Sequence, residues 1–164
     1  MLLYKNIVLI CIFLFLGYFV NGQVFLSTKD FQNSIWAAKN ENFGFYKDDT
    51  ITLVRVAKNI EEKEQFRPDL ANYFDNKNYI VLGFKEKQDL ELSETNVKDW
   101  SIVTKVGKYK WLFQKRGQKL NFFFNSKSIG SFRIVSKKQT AIKSGFTYIQ
   151  PKSTYEILLI RCKP

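Results

Sequence analysis

Tyr109-Lys110-Trp111-Leu112-Phe113-Gln114-Lys115-Arg116-Gly117-Gln118-Lys119-Leu120-Asn121-Phe122-Phe123-Phe124-Asn125 reads as one β-hairpin. Tyr109, Trp111 and Phe113 alternate with Lys110, Leu112 and Gln114, the period of two that marks a half-buried strand. Lys115 to Gln118 supplies the turn, with Gly117 where a positive φ is needed. Leu120, Phe122 and Phe124 then share one face, and Asn121, Phe123 and Asn125 the other. Two opposed aromatic rows of this size require further strands to cover them.

Such strands are legible on both sides. Upstream, Phe43 to Tyr46 and Thr50 to Val56 read as a hairpin around Lys47-Asp48-Asp49, with the facing of Arg55 against Val56 left open. Tyr79 to Phe84, Leu90 to Ser93 and Trp100 to Val106 follow. Downstream, Ser131 to Ser136 precedes a last hairpin of Phe146 to Ile149 and Thr154 to Cys162. Ile157-Leu158-Leu159-Ile160 is apolar on both faces, which predicts a central strand covered on two sides. Two stretches break the pattern. A short helix is expected over Asp30 to Ala38, capped by Thr28 or Asp30. Asn59 to Phe74 opens on a capping box of Asn59 and Glu62 and is interrupted by Pro68. Its Phe66, Leu70, Tyr73 and Phe74 form one apolar face, suited to a crossover covering the sheet or to a lid over a cavity. The fold class expected is all-β with short helices, as a single antiparallel up-and-down β-barrel or, alternatively, a β-sandwich.

Residues 1–22 stand apart from this domain. Lys5 precedes a 14-residue apolar run from Ile7 to Val20, followed by Asn21-Gly22, the layout of a secretory signal peptide. The run is short of the ~20 residues that span a bilayer, so cleavage before Gln23 is expected rather than a retained anchor. Residues 23–164 then form one exported or periplasmic domain. With Cys11 inside the apolar run, Cys162 is left as the one cysteine, so packing rather than an internal disulfide must hold the fold.

Charge divides the domain. Residues 23–100 carry 11 Lys/Arg against 14 Asp/Glu, whereas residues 101–164 carry 14 Lys/Arg against Glu156 alone. A basic half of this kind attracts acidic polysaccharide, lipopolysaccharide or a negative membrane face. Lysines that merely solvate the outer faces of strands account for the same pattern. Lys108, Lys110, Lys115, Arg116 and Lys119 interleave with the hairpin aromatics, an arrangement also seen in single-strand nucleic-acid binders. An exported protein rarely meets that partner.

The chain contains no histidine. That removes the commonest general base and metal ligand, and with them His-dependent triads and the usual zinc sites. Asp48-Asp49, Glu61-Glu62-Glu64 and Asp89/Glu91/Glu94 each have a solvated explanation, and none is flanked by an apolar run that would raise a carboxyl pKa. No phosphate loop or calcium loop is present. The chain is therefore expected to be neither an enzyme nor the holder of a cofactor or metal.

Asp30-Phe31-Gln32-Asn33-Ser34-Ile35-Trp36 resembles the opening of the lipocalins and their small bacterial lipocalin-like relatives. In these a short helix leads to a tryptophan at the start of the first strand. Ser34 stands where that family usually has glycine, and no long helix follows Cys162. The resemblance implies a barrel that holds a small apolar or amphipathic ligand. It also implies that Arg161, late in the barrel, packs across Trp36. Trp111, Phe113, Phe122, Tyr148 and Tyr155 are the side chains expected to line the cavity.

Overall fold

The computed structural model describes residues 25–146 and 149–163, with only the backbone of Ile60. Nine antiparallel strands form a single sheet that curls into a half-barrel. They are β1 (Ile35–Lys39), β2 (Thr50–Ala57), β3 (Tyr79–Phe84), β4 (Leu90–Asn96), β5 (Ser101–Thr104), β6 (Tyr109–Gln114), β7 (Lys119–Phe124), β8 (Lys127–Ile142) and β9 (Lys152–Arg161). Their order is β5-β4-β3-β1-β2-β9-β8-β7-β6, so neighbours in sequence are neighbours in space except for β2 and β3, which β1 separates, and β5 and β6, which form the two edges. One continuous sheet excludes the sandwich.

The central hairpin forms in the register its alternation predicts. Tyr109 faces Phe124, Trp111 faces Phe122 and Phe113 faces Leu120. Gly117 takes φ 81° in the turn. Inward residues of β1–β4 and β6–β9, among them Trp36, Leu53, Ile80, Leu82, Trp111, Phe122, Phe132 and Leu159, make the concave core. A second cluster covers the convex face. There α3 (Ile60–Phe66) and α4 (Leu70–Tyr73), split at Pro68, bring Phe66, Leu70 and Phe74 onto Ala37, Val54 and Val56. The Asn59 side chain accepts the Glu62 N–H at 2.8 Å, as the capping pattern requires. The crossover helices thus cover the sheet.

Two short helices plug opposite ends of β1. The expected helix over Asp30 to Ala38 stops early: α1 is Thr28–Phe31, and Asn33 at φ 60° turns the chain into β1. Trp36 and Ile35 belong to opposite faces of a strand, with Trp36 in the concave core and Ile35 in the convex one. Phe31 enters the concave core 5.3 Å from the Trp36 ring and 5.2 Å from that of Phe113. At the other end, Phe43 to Tyr46 is not a strand. A 3₁₀ turn at Glu41–Phe43 and α2 (Gly44–Lys47) replace it, with Asn42 and Phe43 at positive φ. This places Phe45 against Phe122 and sends the Tyr46 hydroxyl to Glu94 at 2.7 Å.

The last hairpin also differs from expectation. The partner of β9 is the long β8, and Phe146 and Ile149 lie in the connection between them. That connection is held to the crossover: Asp69 N–H donates to Lys143 O at 2.9 Å and Ser144 Oγ–H to Phe66 O at 2.8 Å. β9 is central, between β2 and β8, and its Ile157 and Leu159 are fully buried. Ile160 on its other face stays 39% exposed, so cover there is partial. Cys162 is half-buried and free just beyond β9.

The two edges of the sheet nearly meet. Asp89, just before β4, forms an antiparallel bridge and an ion pair with Lys110 of β6, and Trp111 Nε1–H donates to Lys85 O at 3.2 Å. β6 is thereby seamed to the start of β4, and β5 lies beyond the seam.

Candidate functional site

Side chains fill the middle of the concave face. Trp111, Phe113 and Phe122 are 2%, 7% and 1% exposed and pack against Phe31, Phe84 and Phe45 rather than lining an open space. Tyr148 lies outside the described residues. The open part of the concave face is at its α1 end, where a cleft of about 550 Å³ is lined by Phe25, Arg55, Lys137, Gln139, Ser153, Thr154 and Tyr155.

Strand pairing explains how these residues meet. Trp36 of β1 faces Arg55 of β2, and Tyr155 of β9 faces Gln139 of β8. β2 and β9 pair in the register that continues from Val54 opposite Glu156. One transverse row therefore runs Trp36, Arg55, Tyr155, Gln139 across four strands. The Tyr155 ring stands edge-on to Trp36 at 5.4 Å. The Arg55 guanidinium lies 4.1 Å from the Tyr155 centroid, and Lys137 Nζ lies 3.9 Å from it. One cation comes from each strand that flanks β9.

Lys137 and Gln139 reach this face through a bulge. Phe132 and Ile134 point into the core, and simple alternation would send Ser136 and Lys138 after them. Between Ile134 and Ser136 the pairing with β9 shifts by one residue, which reverses the facing of everything beyond. No residue type at Val135 announces this, so the sequence reading missed Lys137 and Gln139, whereas Ser153 shares the Tyr155 face of β9 and looked like part of the turn before that strand. Arg55 had a signal in the spacing Ile51, Leu53, Arg55, and the structure settles its face as inward.

The cleft is mainly cationic, with the Asp30 carboxylate near enough to act on Tyr155. Among the described residues, neither Arg55 nor Lys137 forms an ion pair, whereas Lys39, Lys77, Lys85, Lys105, Lys110, Lys138 and Lys152 all do. The Tyr155 hydroxyl is buried without a hydrogen-bond partner among them. Burial pushes its pKa above the ordinary tyrosine value, with Arg55 pulling the other way. Two cations on an aromatic ring, flanked by the Gln139 amide and the Ser153 hydroxyl, can hold an anionic group and lay an apolar tail against Phe25, which is 73% exposed.

Comparison with known protein families, curated proteins and solved structures finds no match for this chain. Among the described residues, no helix is long and apolar enough to cross a membrane, and no three Cys, Asp or Glu side chains gather as a metal-ligand set.

The other expected positions are dispersed. Arg161 does not reach Trp36. Its guanidinium lies over Phe132 at 4.5 Å and donates to Asp48 O and Phe45 O at 3.0 and 3.2 Å, which fastens α2 to β9. Of the hairpin cations, Lys110 is neutralised by Asp89. Lys108 precedes β6 while Lys115, Arg116 and Lys119 surround its far end, roughly 20 Å away for a six-residue strand. They do not form one patch. A larger cleft, of about 800 Å³, lies beside α3 on the convex side, lined by Ile35, Val81, Gly83, Glu61, Lys63 and Glu91 among others. Its Glu91 is already paired with Lys85 at 2.7 Å.

Proposed function

We propose that this protein is an exported, non-enzymatic binding protein that holds an amphipathic small molecule by its anionic group at the open end of the half-barrel. The observation that carries this reading is the pair Arg55 and Lys137, stacked on Tyr155 and, among the described residues, without an ion-pair partner. The packed interior leaves the ligand's apolar part to lie at the rim, along Phe25 and Tyr155, rather than deep in the barrel. The lipocalin-like opening supports the same class of function, a small molecule received at a barrel mouth. The reading in which the basic half docks an acidic polymer or membrane has less support, because the hairpin cations are divided between two ends.

Calorimetric titration with dodecanoate and with the uncharged dodecanol tests this. Dodecanoate binds the wild type at least tenfold more tightly than dodecanol, and Arg55→Gln combined with Lys137→Gln removes that preference while the fold is retained. Equal binding of both probes by the wild type, or no binding of either, would defeat the proposal.

A further inference from the structure

We infer that the protein self-associates through β5, edge to edge with a second copy about a two-fold axis. β5 ends the sheet, and all four of its residues are exposed. Ile102 and Val103 are 69% and 52% exposed, and the flanking Trp100 and Val106 are 77% and 94% exposed. Large apolar side chains on both faces of an unpaired edge are what monomeric sheets avoid. The opposite edge is treated differently, since β6 is seamed to Asp89. β5 itself carries no proline and no bulge, and Lys105 just beyond it is drawn back to Glu94 at 2.8 Å.

The backbone of β5 is ready for a partner strand. Lys105 N–H donates to Leu92 O at 2.9 Å, so the alternate residues Ile102 and Thr104 turn their N–H and C=O groups away from β4. A two-fold axis at Val103 lets Ile102 of one copy exchange both hydrogen bonds with Thr104 of the other. The same operation sets Val103 against its own copy and Trp100 against Val106. Lys105 then faces Ser101, so no like charges meet within the strand. The four apolar side chains expose on the order of 500 Å² per copy, which gives a dimer at the small, reversible end of specific interfaces. The occupant that this surface complements is itself.

Sedimentation equilibrium of the full chain tests the inference. The wild type shows a concentration-dependent monomer–dimer equilibrium. Val103→Lys, which places two ammonium groups opposite each other on an exposed position, raises the dissociation constant at least tenfold without moving the unfolding midpoint measured at concentrations where both proteins are monomeric. In a Cys162→Ser background, Val103→Cys oxidises to a covalent dimer. Ile102→Cys, offset from its own copy along the strand, does not, because facing non-hydrogen-bonded residues sit about 4.5 Å apart and within disulfide reach. A wild type that stays monomeric, a dimer that Val103→Lys leaves intact, or equal cross-linking at both positions overturns the inference.

Discussion

The side-chain amide of Gln118 holds both backbone polar groups of Leu26, accepting its N–H at 2.8 Å and donating to its C=O at 3.1 Å. Ninety-two positions separate the two residues in the chain. The pair works as a one-residue strand bridge that fastens the segment before α1 to the turn of the central hairpin. Leu26 is only 2% exposed, so water cannot replace these bonds at little cost.

Gln118→Ala leaves both groups of Leu26 unpaired and frees the segment that carries the Phe31 plug. A loss of about 2–3 kcal/mol in unfolding free energy is expected, read from urea denaturation. A loss below about 0.5 kcal/mol would mean that the segment is held by Phe31 alone.

Trp111→Ala removes a ring packed on Phe31 and Phe84 and a hydrogen bond to Lys85 O. It should cost about 3–5 kcal/mol of stability, the range for large aromatic residues in a core. Arg55→Gln should instead cost little stability and weaken dodecanoate binding. Loss of binding with an unchanged fold on Trp111→Ala would return Trp111 to the ligand site and contradict this division.

Stability should fall at both extremes of pH, through different groups. Burial raises the Glu62 carboxyl pKa, but the hydrogen bonds from Lys152 and the Lys58 N–H outweigh it and hold the group below its ordinary 4.5. Its contribution is therefore present above pH 4.5 and is lost as the pH falls through the lowered value. Burial, and then the hydrogen bond to Glu94, push the Tyr46 hydroxyl well above its ordinary 10.0. That contribution is present below pH 10 and is lost as the pH rises beyond it. Urea midpoints measured against pH should show a shallower acid limb for Glu62→Gln and a shallower alkaline limb for Tyr46→Phe. Limbs identical to the wild type would remove these two groups as their source.

Alternation alone was enough for Tyr109 to Phe124, because both strands bury one face and the turn lies at a glycine. It was enough for β3 as well, and the capping pair Asn59/Glu62 with Pro68 located the two crossover helices. It misled where aromatic residues serve as plugs. Phe45 and Tyr46 look like strand residues, yet they sit on a helical turn that closes one end of the half-barrel. Phe31, Ile35 and Trp36 look like one helix face, yet they are divided between a plug and the two sides of a strand.

The candidate site lay mostly beyond sequence reasoning. Tyr155 was visible as an inward residue and Arg55 as an undecided one. Lys137 resembled any solvated lysine until the bulge at Val135 turned it inward.

What the sequence by itself determined is the all-β class, the central hairpin and the absence of histidine chemistry, because side-chain period and composition are local properties of the chain. Which strands become neighbours, where the sheet stays open and which cations share the Tyr155 ring were decided only by the tertiary structure. Register between strands distant in sequence, and a one-residue bulge within one of them, set the facing of side chains that no local pattern can specify.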